Sequence, residues 1–231
     1  YQTQKTYPEL WVDESDERGK NLYEKEFLKK QLERLNIQIS FEYHKVINLK
    51  DANKLLKDFE NKKNYDLITV VYNFVDILSH AKTEMDIIKE LAFDDKAFRS
   101  LTLSWFKNSP LLGLIEKAKE KKSKLIVTTD HGTINVLNPE KVIGDRKTNV
   151  NLRYKKGKSL TYNQKEVFLM DDPSQYGLPF SNDKYIFAKN DQYFIYQNNF
   201  NHYALHFKNT FQHGGISMEE MIIPFAVLNP K

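Results

Sequence analysis

The chain has no cysteine among its 231 residues. Disulfide scaffolds, thiolate zinc fingers, iron–sulfur clusters and cysteine nucleophiles are therefore excluded, and any metal site must draw on His, Asp and Glu. Long apolar runs are missing too: nothing approaches the roughly 18 residues a membrane helix needs, and the mean hydropathy is -0.63. A membrane span is excluded. Glycine and proline are sparse, at 8 and 7, and no stretch has the low complexity of a flexible linker. Charge of one sign is not in excess either. Lys and Arg number 35 against 31 Asp and Glu, a net +4, with a pI near 8.9. That is too mild for a general nucleic-acid binder, though it leaves room for a local basic pocket. The start, Tyr1-Gln2-Thr3, has no initiator methionine, basic n-region or apolar h-region. We read the chain as a fragment of a longer, cytoplasmic protein.

What is present is 40% hydrophobic, enough for a sizeable core in one domain spanning 1–231. Leu22, Phe27, Leu28, Leu32 and Leu35 mark an amphipathic helix over Asn21 to Leu35. Ile37 to Tyr43 alternates apolar with polar, as a half-buried strand does. A helix over Asp51 to Phe59 precedes Asp66 to Tyr72, whose β-branched run is that of a central parallel strand covered on both faces. A long helical region reaches to about Lys121, and Lys124 to Thr129 repeats the buried-strand composition. The order β, α, β, α, β predicts an α/β fold with a doubly wound, mostly parallel sheet. Beyond Gly132, short alternating segments around Ser159 to Met170, Tyr185 to Ala188 and Tyr193 to Tyr196 predict an antiparallel cap, an insertion over 145–205. The apolar run Met221 to Leu228 predicts a last strand returning to the sheet.

Three constellations carry candidate chemistry. Asp130, His131 and Gly132 follow the carboxyl end of a predicted central strand, where ligands bind in open α/β sheets. Asp and His together suit a zinc-like ion, although Asp130 can equally start a turn that leaves His131 as a loop residue. Asp76 and His80 follow the other central strand at i, i+4, on one helix face. They can share an ion, or serve as a helix-start acid and a neighbouring histidine. His213, Gly214 and Gly215 precede Ser217 and Glu220, which match a capping box. The glycines permit close backbone approach, or simply a turn. Taken jointly, three of the six histidines and two acids fall at one predicted sheet edge, sufficient for two adjacent metal sites. His44 and His206 read as structural, and His202 as structural or near the site. Within the basic stretch Lys141 to Lys158, Arg146 and Arg153 are the candidates for holding phosphate oxygens. The late aromatics Tyr193, Phe194, Tyr196, Phe200 and Tyr203 can stack bases or pack the cap.

The order Asp-x-x-x-His, Asp-His-Gly, His-Gly-Gly resembles the metal-binding signature of the alkaline phosphatase superfamily. More closely, the segments Tyr72 to His80, Leu101 to Phe106, Thr128 to Ile134 and His213 to Pro224 resemble the PglZ domain of PorX-type response regulators, over essentially the whole chain. The resemblance implies one zinc ion on Asp76, His80 and His213, and a second on Asp130 and His131, about 4 Å apart and acting together in phosphoryl transfer. It places the Thr or Ser nucleophile and one further Asp ligand upstream of Tyr1. It also implies a phosphodiesterase acting on nucleotides or oligonucleotides, in the output domain of a regulator addressed by a sensor kinase and controlling type IX secretion. By family analogy a homodimer is expected. Two rivals stand beside it: a metal-stabilised module that binds nucleotide or protein without turnover, and a monoesterase on the same metals.

Overall fold

The computed structural model describes residues 6–10, 22–61, 65–145, 148–176, 183–196 and 198–230. Helix α1 (Glu24–Arg34) lies within the predicted segment. It is tied to strand β1 (Phe41–Val46) by Glu24, which accepts a hydrogen bond from the Tyr43 hydroxyl and pairs with Lys45 at 3.1 Å. Asn36, with a left-handed φ of 54°, ends the helix run in a turn, and β1 starts later than its alternating pattern does, where Phe41 comes opposite Leu67. Helix α2 (Leu49–Asp58) is capped by Asn48, whose side chain accepts the Asp51 amide at 2.9 Å. Strand β2 (Leu67–Tyr72) pairs parallel with β1, Phe41 opposite Leu67 through Val46 opposite Tyr72. This is the crossover the sequence predicts.

The long helical region divides into α3 (Phe74–Glu84), α4 (Asp86–Leu91), α5 (Asp95–Lys107) and α6 (Pro110–Glu120). Each break has a local cause. Met85 is extended, Asp94 caps α5 through the Ala97 amide at 2.7 Å, and Pro110 occupies the first turn of α6, where its missing N–H costs nothing. Val46, Ala52, Leu55, Phe59 and Leu114 bury one core between β1, α2 and α6. Leu78, Ala92 and Phe98 bury another, against which Phe211 packs.

Strand β3 (Leu125–Thr128) is followed by β4 (Ile134–Val136), β5 (Asn138–Val142), β6 (Tyr154–Gly157), β7 (Val167–Met170), β8 (Lys184–Ala188), β9 (Gln192–Tyr196), α7 (Phe200–Phe207), β10 (Thr210–Gln212), α8 (Met218–Met221) and β11 (Phe225–Leu228). The chain is α/β as expected, with its strands in small sheets: β1–β2 and β5–β9 parallel, β3–β11 and β4–β10 antiparallel, and β6–β8–β7 antiparallel within the predicted cap segment. The expectation of an antiparallel strand at Tyr193 to Tyr196 is not met, since β9 pairs parallel with β5; alternation marks a strand but does not specify the direction of its partner. The last apolar run does return, as β11 alongside β3. However, β3 is not covered on both faces, since Ile126 is 52% and Val127 45% exposed. A β-branched run favours the extended backbone, while burial depends on what packs against it, which composition does not specify. Val142, Val167, Ile186, Ala188 and Phe194, from β5, β7, β8 and β9, form one core, and Ile134, Val136, Tyr193 and Ile195, from β4 and β9, another.

Candidate metal centre

Three chain segments deliver the candidate ligands to one place. β2 leads through Asn73 into α3, so Asp76 falls in the first helical turn and His80 one turn later. His80 Nε2 lies 3.6 Å from Asp76 Oδ1. β3 runs into Thr129, whose hydroxyl donates to the His131 carbonyl at 3.0 Å, while Asp130 Oδ1 accepts the His131 amide at 3.1 Å. These local bonds turn the backbone sharply after the strand. β10, held on β4, brings His213 to within 3.7 Å of Asp76 Oδ1 through its Nε2. The His131 and His213 rings stack with centroids 4.0 Å apart and 14° between planes, and the His80 ring stands 6.1 Å from His213 at 80°.

Asp76 Oδ1 is buried and has no hydrogen-bond partner, an arrangement that costs free energy unless something positive completes it. The nearest imidazole nitrogens, at 3.6 and 3.7 Å, are too far to hydrogen-bond it. Two ligands of one tetrahedral zinc stand roughly 3.3 Å apart, so these separations suit a shared ion. Ligand atoms of Asp76, His131 and His213 all lie within 4.8 Å of one another. The sets that the resemblance assigns to separate ions thus run together in one cluster. Burial, and then the neighbouring His131, push the His213 imidazole below its ordinary range, with Asp76 opposing. At neutral pH the ring is uncharged and its nitrogen lone pair is free. His131 Nδ1 lies 3.1 Å from the Gly132 carbonyl. A carbonyl can only accept, so Nδ1 carries the proton and Nε2 is left to coordinate.

Asp76, His131 and His213 thus form the cluster, His80 adjoins it 3.6 Å from Asp76 Oδ1, and Asp130 stands at its edge, its Oδ1 3.9 Å from His131 Nε2; the Asp130 side chain is 84% exposed and His80 62%, against 31% for His213. The expectation for Arg153 is corrected. It is fully buried, its Nε and Nη2 forked onto the Glu220 carboxylate at 3.0 and 2.9 Å. It also donates to the carbonyls of Asn190, at 2.9 Å, and Gln192. A guanidinium enclosed and committed in this way is not presented to a phosphate. Arg146 lies outside the described residues. Tyr193 and Phe194 are core rather than a stacking platform. His44 pairs with Glu42 in β1, and His202 contacts Tyr203 on α7.

Glu220 was legible only as a capping-box acid, and its larger part in the site was not. Its carboxylate accepts the Ser217 amide at 3.2 Å, as such a box predicts, and the Gly215 amide at 2.8 Å as well. Burial pushes its pKa up, but Arg153 and these amides more than offset that and hold it below the ordinary range. The one clue in the sequence was an arginine among lysines, since a buried carboxylate favours the planar fork.

A family model described as the BREX system PglZ alkaline phosphatase-like domain matches residues 1–228. No curated protein matches the chain. With the Asp-x-x-x-His, Asp-His-Gly and His-Gly-Gly segments converging on one cluster and the match running almost end to end, the chain belongs to the PglZ family of alkaline-phosphatase-like domains.

Proposed function

We propose that this domain is a zinc-dependent phosphohydrolase, a phosphodiesterase acting on nucleotides or oligonucleotides. The observation that carries the reading is Asp76 Oδ1, buried without a hydrogen-bond partner and faced by the imidazoles of His80 and His213. Asp76, His80 and His213 would hold one ion and Asp130 with His131 a second. Three imidazoles with two carboxylates favour zinc over manganese. Bound zinc supplies Lewis acidity toward a phosphoryl oxygen and lowers the pKa of an oxygen nucleophile. The chain's own part is to hold two loops and a helix start at fixed separation, with the His213 ring kept neutral by burial and the His131 tautomer set by the Gly132 carbonyl.

We further assign the domain to the output end of a PorX-type, cytoplasmic and dimeric response regulator, addressed by a sensor kinase and acting in type IX secretion. Its support is the run of segments Tyr72 to His80, Leu101 to Phe106, Thr128 to Ile134 and His213 to Pro224. Among the described residues no helix is long and apolar enough to cross a membrane.

Elemental analysis and hydrolysis of bis(p-nitrophenyl) phosphate by the full-length protein test the reading. Asp76→Ala and His213→Ala are expected to lose zinc and at least 100-fold in rate, the order of a several-kcal/mol loss of transition-state stabilisation. Undiminished hydrolysis in both variants would sink it. A protein that keeps zinc and binds nucleotide without consuming it is instead a regulatory binding module.

A further inference from the structure

The two loops that carry His131 and His213 are bonded to a single residue. Glu220 receives the Gly215 amide on its carboxylate at 2.8 Å, two residues beyond His213, and the Ser217 amide at 3.2 Å. Its backbone carbonyl receives the Gly132 amide at 2.9 Å, one residue beyond His131. Both approaches are so close that only glycine fits. A Cβ on Gly132 would stand 1.9 Å from the Glu219 carbonyl oxygen, and one on Gly215 2.6 Å from the Glu220 carboxylate. Gly214, between His213 and Gly215, has φ +101°, a conformation glycine adopts freely and other residues rarely do. Asn151, from the segment preceding β6, donates to the His213 carbonyl at 3.2 Å.

Glu220 is in turn locked from behind. Arg153 grips both carboxylate oxygens, and the remaining reach of its guanidinium ends on the carbonyls of Asn190 and Gln192 at the β8–β9 turn. Arg153 is fully buried and Glu220 3% exposed. An apolar pair of similar volume often stabilises a fold as well as a buried ion pair does, and the best-attested use of such pairs is to fix register. Here both registers are those of metal ligands.

We infer that the Arg153–Glu220 pair is the positioning device of the metal centre, holding the His131 and His213 loops at the separation that one cluster requires and tying that separation to the β8–β9 turn. Neither residue touches the ion. Each acts through the loops it holds, as outer partners of metal ligands do. The inference rests on the zinc reading proposed above.

The test is zinc affinity of the full-length protein, measured by competition with a chromophoric chelator, together with the visible absorption of its cobalt(II) form. Arg153→Lys keeps a cation but loses the fork; Glu220→Gln keeps the shape but loses the charge. Either is expected to weaken zinc 10- to 100-fold and to alter the cobalt spectrum. Leu55→Ala, in the core between β1, α2 and α6, serves as the control: it lowers stability with zinc affinity unchanged. Should Glu220→Gln not fold, Arg153→Lys alone decides the matter. Folded variants whose zinc affinity stays within threefold of the parent would overturn the inference while leaving the zinc reading intact. A parent protein that binds no zinc would overturn both.

Discussion

Asp76 Oδ1 and the Lys155 ammonium are both withdrawn from water, and the difference between them is the partner each has. Lys155 is 3% exposed and donates to the Asn149 carbonyl at 2.9 Å. Burial pulls its pKa from 10.5 down to about 8. A base with a depressed pKa weakens the fold while it is charged. Below pH 8 both folded and unfolded chains carry the proton, and the cost is fully present. Between pH 8 and 10.5 the folded chain releases it first, the unfolded chain binds more protons, and stability rises. Lys155→Met removes this rise. The stability difference between variant and parent, followed by denaturant unfolding, is expected to shift in the parent's favour by roughly 2 kcal/mol from pH 7 to pH 10. A difference that does not change with pH would show that Lys155 titrates normally.

At the scale of elements, caps and breaks decide where helices present their faces. Asn48 caps α2, and that places Ala52 and Leu55 inward against Val46 and Leu114. Asn48→Ala is expected to cost about 1 kcal/mol by chemical denaturation and to leave zinc content unchanged, because α2 supplies no ligand. A variant that lost zinc would mean that the β1–α2 layer is coupled to the centre more tightly than its contacts indicate. The site itself is an affair of element ends: the start of α3, the end of β3 and the end of β10. Asp76 and His80 come from the first turns of α3, while the loops that carry His131 and His213 are held by hydrogen bonds to other segments, Gly132 to Glu220 and Asn151 to His213.

For the whole molecule, the candidate ligands are far apart along the chain and meet only when it is folded. A cation that binds the native state alone stabilises it by about 2.7 kcal/mol at 100 times its Kd. For a chain of this length that is a rise in Tm of roughly 5–10 °C. Thermal unfolding with and without chelator checks the expectation. Equal Tm values for zinc-loaded and stripped protein would mean that the cluster does not hold an ion with useful affinity.

Much of this was legible in the residues themselves, for local reasons. Helix and strand follow from periodicity and β-branching, so α1, α2, β2, β8 and β9 stand where those patterns place them. The breaks that divide the long helical region at Met85, Asp94 and Pro110 are local as well, the last two at residue types that favour a helix cap and a first turn. The five candidate ligands were legible because Asp and His beside strand ends and glycines form a pattern in the chain. Three things were decided only by tertiary structure. The exposure of β3 depends on which elements cover it. Arg153, chosen for phosphate on its charge, is instead drawn inside by Glu220, 67 positions away. The convergence of Asp76, His131 and His213 rests on contacts that join distant segments. Short-range preference acts through a few neighbouring residues and can be read from them; burial and long-range pairing are properties of the packed chain, where the partner of a charge is chosen by space and not by sequence order.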